Sequence, residues 1–144
     1  MAASNVPIER QVGFVESLQL FFKNYKDFDG RSGPSAYWYY MVWSLIIGAL
    51  LSYLEASAMD ISLEDASLLN NLFTLITVIP SIALSCRRLH DIDKSGWWLL
   101  ISLTIIGIPV LIYWAIKAGD RQENRYGADI EAGKESLKEP TTDA

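Results

Sequence analysis

Residues 32–54 read SGPSAYWYYMVWSLIIGALLSYL, a run of 23 residues that contains no Asp, Glu, Lys, Arg or His. Two further uncharged runs cover residues 66–86 and 95–116. A helix of about 20 apolar residues crosses a hydrocarbon core of about 30 Å. All three runs are long enough for such a crossing. The sequence therefore predicts an all-α membrane protein with about three transmembrane helices, near 36–54, 68–86 and 97–116.

Composition supports the membrane placement and excludes several functions. Hydrophobic residues make up 51% of the 144-residue chain and charged residues only 20%. A soluble domain of this size would have too little polar surface to cover three uncharged runs. The formal net charge of −5 argues against nucleic-acid binding. Cys86 and His90 alone make no metal site, and the chain shows no nucleophile-base arrangement or phosphate-binding loop, so we expect no metal, no cofactor and no enzymatic activity.

The segment before the first run is predicted to contain an amphipathic helix over residues 12–25. Val12, Val15, Leu18, Phe22 and Tyr25 recur at spacings of three and four. Next to a transmembrane span, such a helix is expected to lie in the membrane interface with its aromatic face toward the acyl chains. We therefore treat residues 1–35 as an N-terminal cytoplasmic and interfacial segment, which precedes a membrane domain over 36–116.

The distribution of basic residues predicts which side of the membrane each connection occupies. The link over residues 55–65 has four acidic and no basic residues, so it is expected outside the cytoplasm. The connection from Arg87 to Lys94 and the N-terminal segment carry clustered Arg and Lys, so both are expected in the cytoplasm. The chain would then be a multi-pass membrane protein.

The C-terminal tail, residues 117–144, conflicts with a simple three-span topology. Three crossings would put the tail outside the cytoplasm, yet it carries five basic residues. One alternative is that the third segment turns back at Gly107 to Pro109 as a re-entrant segment shielded by protein. From about Gly133 the tail has almost no apolar residues and is expected to be disordered. Both topologies remain open at this stage.

Two sets of residues are candidate functional positions. Ser44, Gly48 and Ser52 recur every four residues and could form a helix-packing face, although such spacing is common by chance. The other set is a predicted polar juxtamembrane site. Its plainer interpretation is a headgroup anchor that sets topology. In the sharper interpretation, Arg87 or Arg88 pairs with Asp91 or with a residue of another segment, and His90 titrates near neutrality. Arg31 could likewise pair with Asp91 or Asp93. The predicted site consists of Gly30, Arg31, Arg87, Arg88, His90, Asp91, Glu123, Asn124, Arg125 and Gly127.

Several of these segments together resemble the bacterial inner-membrane family known as domain of unknown function 805. The matching stretches are Lys23-Asn24-Tyr25 with Phe28, Gly30, Arg31 and Tyr37-Trp38, then Arg87-Arg88-Leu89-His90-Asp91, Ser95-Gly96-Trp97-Trp98, and Glu123-Asn124-Arg125-Tyr126-Gly127. The chain departs from the family pattern at Asp120-Arg121-Gln122, where a Pro-Gly pair is common, and at Gly33-Pro34-Ser35-Ala36, which is less basic than usual. The resemblance implies a small multi-helix inner-membrane protein without an established activity.

We expect the protein to act without catalysis, by packing in the lipid bilayer or by binding a partner. The partner would be a second copy, through the face of Ser44, Gly48 and Ser52, or another membrane protein. The alternative is an oligomeric component that transports a small solute or an ion and uses the Arg-Arg-Leu-His-Asp cluster. Loss of the charges from Arg87 to Asp91 should abolish flux in a transporter and be tolerated by an interaction module.

Overall fold

A computed structural model of the chain describes residues 12–128, and these residues form helices and no strands. Asn124 and Gly127 form an isolated β-bridge. The predicted all-α class is thus confirmed for this part of the chain, and the tail beyond about Gly133, predicted to be disordered, lies outside it. The elements are α1 (Phe14–Lys23), α2 (Pro34–Met59), α3 (Leu68–His90), a 3₁₀ helix (Gly96–Leu103) and α4 (Gly107–Ile116).

Helix α1 forms where the amphipathic pattern predicts a helix, and part of its aromatic face packs on α2. The ring of Phe21 is buried and stacks on Tyr40, with 3.5 Å between the ring centroids. Near its start, Phe14 stacks on Trp43, whose indole N–H donates to the Phe14 carbonyl at 2.8 Å. Other apolar residues of α1, such as Val15, remain exposed. The aromatic face that was predicted to lie toward the acyl chains therefore packs partly on α2, and the rest of it is exposed.

Helices α2 and α3 are both long enough to cross a membrane. They contain 26 and 23 residues, or about 39 and 35 Å at 1.5 Å per residue. Only 11% of the most apolar window of α2 and 22% of that of α3 are buried. A core helix of a soluble protein would be mostly covered by its own fold, so these exposed apolar surfaces suit a lipid environment.

The contact between α2 and α3 uses two of the three predicted packing residues. The Asn70 side-chain amide on α3 donates to the Gly48 carbonyl at 3.2 Å and to the Ser52 hydroxyl at 2.6 Å. A Cβ atom on Gly48 would stand 3.3 Å from Asn70 Oδ1, so the small residue permits this approach. The hydroxyl of Ser44 instead donates to the Met41 carbonyl within α2. At Gly48 and Ser52, the face expected to receive a second copy is thus covered by α3 of the same chain.

The third apolar segment does not form the predicted continuous span over residues 97–116. It divides into the 3₁₀ helix and α4, separated by a turn at residues 104–106. The Thr104 hydroxyl donates to the Ile101 carbonyl at 2.8 Å and accepts from the Gly107 amide at 3.0 Å. A Cβ atom on Gly107 would stand 1.7 Å from the Ile101 oxygen, so glycine permits this tight turn. The two arms are about 16 and 15 Å long, and neither alone spans 30 Å.

Both ends of this broken segment lie beside the C-terminal end of α3. At its start, Gly96 packs so closely on Cys86 that a Cβ atom would stand 2.7 Å from the sulfur. At its end, the Ala115 carbonyl accepts hydrogen bonds from Arg88 at 3.2 Å and from the Trp38 indole at 3.1 Å. The segment therefore leaves α3 and returns to it. Residues 117–128, predicted as the start of a loose tail, pack on this same end.

Candidate functional site

Asp91 stands at the centre of a buried cluster at the C-terminal end of α3. Its Oδ1 atom is 2.9 Å from the Arg31 guanidinium, and its Oδ2 atom is 2.9 Å from the Arg88 guanidinium. The side chains of Arg31 and Asp91 are fully buried, and that of Arg88 is 2% exposed. Arg88 makes the pair with Asp91 that the charge pattern suggested, and Arg31 pairs with the same carboxylate. One carboxylate thus joins two guanidinium groups that reach it from different parts of the chain.

Arg31 also holds the C-terminal segment. Its NH1 group donates to the backbone carbonyls of Gln122, Gly127 and Ala128 at 3.0, 3.3 and 3.1 Å. Its NH2 group donates to the carbonyls of Asp91 and Asp120. A guanidinium with donors in several directions suits such a cluster of carbonyls. Residues 120–128 are therefore fastened around a side chain that lies about 90 positions earlier in the sequence.

Arg88 holds the end of α4 by hydrogen bonds to its last carbonyls. Its Nε atom donates to the Ala115 carbonyl, and its NH2 group donates to the carbonyls of Trp114, at 3.0 Å, and Lys117. The last carbonyls of a helix have no partner within the helix and carry the negative end of its dipole. The Arg88 side chain satisfies these carbonyls, and so ties α4 to the end of α3.

Arg87 holds the segment between α1 and α2. Its Nε atom donates to the Ser32 hydroxyl at 3.0 Å, and NH1 donates to the carbonyls of Asn24, at 3.0 Å, and Asp27. The Ser32 amide in turn donates to the Arg87 carbonyl at 3.0 Å. The side chain is 1% exposed among these partners. The adjacent arginines thus hold different segments, Arg87 the N-terminal one and Arg88 the third apolar one.

His90 connects the N-terminal and C-terminal motifs. Its Nδ1 atom lies 3.1 Å from the Gly30 carbonyl oxygen, which only accepts hydrogen bonds, so Nδ1 carries the proton. Gly30 has φ = +85°, a left-handed conformation that favours glycine. The imidazole ring stacks on Tyr126 with 3.8 Å between the centroids and 2° between the planes.

The motif from Glu123 to Gly127 lies against the end of α3, contrary to the simple three-span topology that separates the two. The Asn124 amide donates to the His90 carbonyl at 2.9 Å, and Asn124 and Gly127 exchange backbone hydrogen bonds. Arg125 forms an exposed pair with Asp93, with 3.0 Å between Nε and Oδ1. This hydrogen bond holds the pKa of Asp93 below its usual value. Glu123 is exposed.

Several residues of the cluster were missed by sequence reasoning. Gly119 lies directly against the Asp91 carboxylate, and the Asp120 amide donates to the Asp91 carbonyl at 2.8 Å. Ser32 and the carbonyls of Asn24 and Asp27 complete the surroundings of Arg87. The Gly-Asp pair after an apolar segment was the only sequence signal, since it is typical of a turn. The backbone acceptors carry no sequence signal, because every residue has a carbonyl.

The buried charged and hydrogen-bonding side chains of the cluster find their partners within the chain itself. Burying a charge is costly unless it is paired and hydrogen-bonded. Within residues 12–128, no buried side-chain nitrogen or oxygen lacks a hydrogen-bond partner. The same part of the chain contains no group of three His, Cys, Asp or Glu residues positioned to hold a metal ion. The arrangement fastens together four segments of one chain: residues 24–33, residues 87–94, the end of α4 and residues 117–128. We call residues 24–33, 87–94 and 117–128 the cap.

Comparisons with known proteins agree with these features. Residues 25–128 match the family described as "Protein of unknown function (DUF805)". The chain is 38% identical over 112 residues to inner membrane protein YhaI of Escherichia coli K12, covering 77% of this chain and 92% of YhaI. It is 32% identical over 108 residues to inner membrane protein YhaH of the same strain, covering 74% and 89%. No solved structure matches the chain. The matched region contains residues 25–33, 87–94 and 117–128 of the cap. The two relatives are inner-membrane proteins of Escherichia coli, and this chain belongs to the DUF805 family.

Proposed function

We propose that this chain is a multi-pass, non-enzymatic protein of the bacterial inner membrane that binds a partner protein through its cap. One observation carries the proposal: the buried Arg31 guanidinium bonds to Asp91 and to four carbonyls of residues 120–128. Its donors hold the chain's own backbone and are not directed at a substrate. The cluster therefore acts as a lock that keeps a polar surface in one shape, as a preorganised binding surface requires.

In this proposal α2 and α3 cross the membrane, and the third apolar segment returns to the cytoplasmic side without crossing. The contacts of Gly96 with Cys86 and of Ala115 with Arg88 support this topology, since both ends of the segment meet the same end of α3. The topology also accommodates the five basic residues of the tail in the cytoplasm. A reporter fused after Ala144 that is active only in the cytoplasm should be active, whereas activity of a periplasmic reporter would contradict two crossings.

Partner binding is tested by site-specific photocrosslinking in intact cells. A photoreactive residue in place of Glu123, exposed on the cap, should give one discrete adduct, whose mass distinguishes a second copy from another membrane protein. The same residue in place of Leu63, exposed in the link between α2 and α3, is the matched control and should give no such adduct. The Asp91→Asn change should abolish the adduct from position 123, contrary to the tolerance expected from the sequence alone, because the buried Asp91 pairs hold the cap in shape. Equal adducts from both positions, or none from position 123, would refute binding through the cap.

A specific cavity favours a second candidate function, transport of a small solute. A cavity of about 430 Å³ lies between α3 and the broken third segment. Thr74, Thr77, Ser81 and Ser85 give it a hydroxyl-bearing wall on one face of α3. Broken helices that meet at polar positions form solute sites in several transporter folds. This reading places the solute site within the membrane domain, with Arg88 of the arginine cluster as part of its lining.

Flux measurements separate the two functions. Proteoliposomes are placed in glycerol, urea or potassium chloride gradients, and their swelling is compared with that of empty liposomes. A transporter should accelerate swelling for one solute, and the double change Thr74→Val with Ser81→Ala should slow it because the cavity wall loses hydroxyls. The crosslink from position 123 should not depend on these two changes. Swelling equal to that of empty liposomes would remove the transport candidate and leave the partner-binding proposal intact.

A further inference from the structure

A second and larger cavity lies on the other side of the 3₁₀ helix. It has a volume of about 720 Å³, within the range of small-molecule sites. Along α3 it is lined by Ile82, Cys86 and His90, which are four residues apart and share one face. The eight-residue step from Ile82 to His90 corresponds to about 12 Å of helix. The cavity therefore runs from the cap toward the apolar part of α3.

The lining changes from polar to apolar along this direction. At the cap end it includes Asp29, His90 and Tyr126. At the other end it includes Ile82, Leu100 and Leu103, and the last two are exposed as lipid-facing residues would be. An elongated site that is polar at one end and apolar at the other matches an amphiphile.

The charge at the polar end of the cavity indicates the sign of charge that a bound head group would carry. Asp29 supplies a carboxylate, and the residues between 12 and 128 that line the cavity include no Lys or Arg. Two guanidinium groups lie near the lining without being part of it. Arg125 stands 5.6 Å from the Tyr126 ring and is paired with Asp93, and Arg87 donates to Ser32 and to the carbonyls of Asn24 and Asp27. A carboxylate without a basic neighbour in the lining favours a cation over an anion.

Aromatic and acceptor groups at the same end strengthen this preference. Phe28 and Trp97 line the cavity with largely exposed rings, 41% and 79% accessible, so their faces are available to a ligand. Aromatic faces attract ammonium groups, and quaternary ammonium groups are recognised in this way. The hydrogen bond from His90 Nδ1 to the Gly30 carbonyl leaves Nε2 as an acceptor in that tautomer, so this neutral ring adds no positive charge to the lining and accepts only from a head group that carries an N–H.

We propose that this cavity binds a single-chain amphiphile with an ammonium head group, the head between Asp29, Phe28 and Trp97 and the apolar chain along Ile82 and Leu100. A phospholipid fits less well, since its phosphate would stand beside Asp29 without a basic lining residue. The proposal goes beyond the role of the cap, because the cavity would take this ligand whether or not the cap binds a protein.

The test is calorimetric titration of the full chain in phosphatidylcholine nanodiscs, with empty nanodiscs subtracted. Three probes share an octyl chain and differ in the head group: octyltrimethylammonium, octyl sulfate and octyl glucoside. The ammonium probe should bind saturably and at least about fivefold more tightly than the other two, as an ion pair near a surface allows. Octyl glucoside measures the contribution of the chain alone.

Three variants locate the binding. Asp29→Asn should weaken the ammonium probe about fivefold, to the affinity of octyl glucoside, and leave octyl glucoside unchanged. Asp60→Asn, the same change at the end of α2, should leave all three probes unchanged. Leu100→Trp should fill the cavity and weaken every probe.

The other outcomes overturn the proposal. Equal affinity for all three probes, with no effect of Asp29→Asn, would show that the cavity takes acyl chains only. Tighter binding of octyl sulfate would contradict the charge argument. Absence of binding by all three would mean that the cavity is no amphiphile site. The crosslink from position 123 is measured separately in intact cells, so an adduct there together with no amphiphile binding in nanodiscs would separate such a failure from failure of the cap proposal.

Discussion

Gly119 lies directly against the carboxylate of Asp91, so closely that a Cβ atom on Gly119 would stand 1.9 Å from Oδ2. The carboxylate has no room to withdraw, since its two oxygens are held by Arg31 and Arg88. Glycine at this position therefore allows residues 117–128 to approach the end of α3. Because Gly119 has no side chain, residues 117–128 can pack against Asp91 and complete the cap.

The Gly119→Ala change should disrupt this contact. Its methyl group would overlap the Asp91 oxygens, and the required shift should cost about 3 kcal/mol of stability through overpacking and loss of the buried pairs. Thermal unfolding in detergent measures the loss, and faster trypsin cleavage at Arg121 or Arg125 reports release of the segment. Ala118→Ser, at the exposed neighbouring position, is the control and should behave as the wild type. A stable Gly119→Ala protein with a protected segment would contradict this packing.

Asp91→Asn should destabilise the chain far more than Asp93→Asn. The first change leaves buried guanidinium groups without their shared carboxylate, and breaking a buried pair in this way costs about 3 to 5 kcal/mol. The second change removes an exposed contact with Arg125, which water and salt screen. Denaturant or thermal unfolding of the two variants under one condition compares them. Similar losses in the two variants would mean that burial does not set the strength of these pairs.

Glu55→Gln should weaken the start of α3. Both carboxylate oxygens of Glu55 accept backbone hydrogen bonds, from the amides of Leu68 at 3.0 Å and Leu69 at 2.9 Å. They cap the positive end of the helix dipole, and replacing one oxygen by an amide should cost about 1 kcal/mol. Glu64→Gln, an exposed position in the same link, is the matched control. Hydrogen exchange of the Leu68 and Leu69 amides should rise in the first variant and not in the second.

Gly107→Ala should prevent the turn between the 3₁₀ helix and α4. The new Cβ atom would stand 1.7 Å from the Ile101 carbonyl oxygen, a backbone atom that cannot move without opening the turn. Gly48→Ala is a graded control, because its Cβ atom would meet only Asn70 Oδ1, at 3.3 Å. We expect lower accumulation and lower thermal stability for Gly107→Ala than for Gly48→Ala. The reverse order would argue against a hairpin at this position.

The Asp93 contact should depend on pH in a defined direction. The hydrogen bond from Arg125 lowers the pKa of Asp93 from its ordinary value of 3.8, so the folded state favours the ionised form. The stabilisation should be fully present above pH 3.8 and be lost as the pH falls through the lowered value. Unfolding of the wild type and of Asp93→Asn across this range measures it: the difference between them should shrink only on the acid side. A difference that grows on acidification would contradict the assignment.

Much of the secondary structure could be predicted from the sequence because it follows from local patterns. The predicted spans at 36–54 and 68–86 lie within α2 and α3, and the three-and-four spacing over residues 12–25 marks α1. The charge pattern from Arg87 to Asp91 predicted a paired polar cluster, and Arg31, Arg88 and Asp91 are paired. Hydropathy could not distinguish a continuous third span from a broken one, since residues 95–116 are uncharged in either case.

The sequence by itself determined that the chain is helical and apolar enough for a membrane, because helix length and side-chain transfer energy are properties of local stretches. Only the tertiary structure decided how the segments are joined. Asp91 meets Arg31 from 60 positions away, and Arg31, Arg87 and Arg88 direct most of their hydrogen bonds to backbone carbonyls. Carbonyls occur at every residue, so their identity as partners depends on three-dimensional proximity alone. The position of Gly119 against Asp91 has the same origin, since the space that it leaves exists only once both segments are folded together.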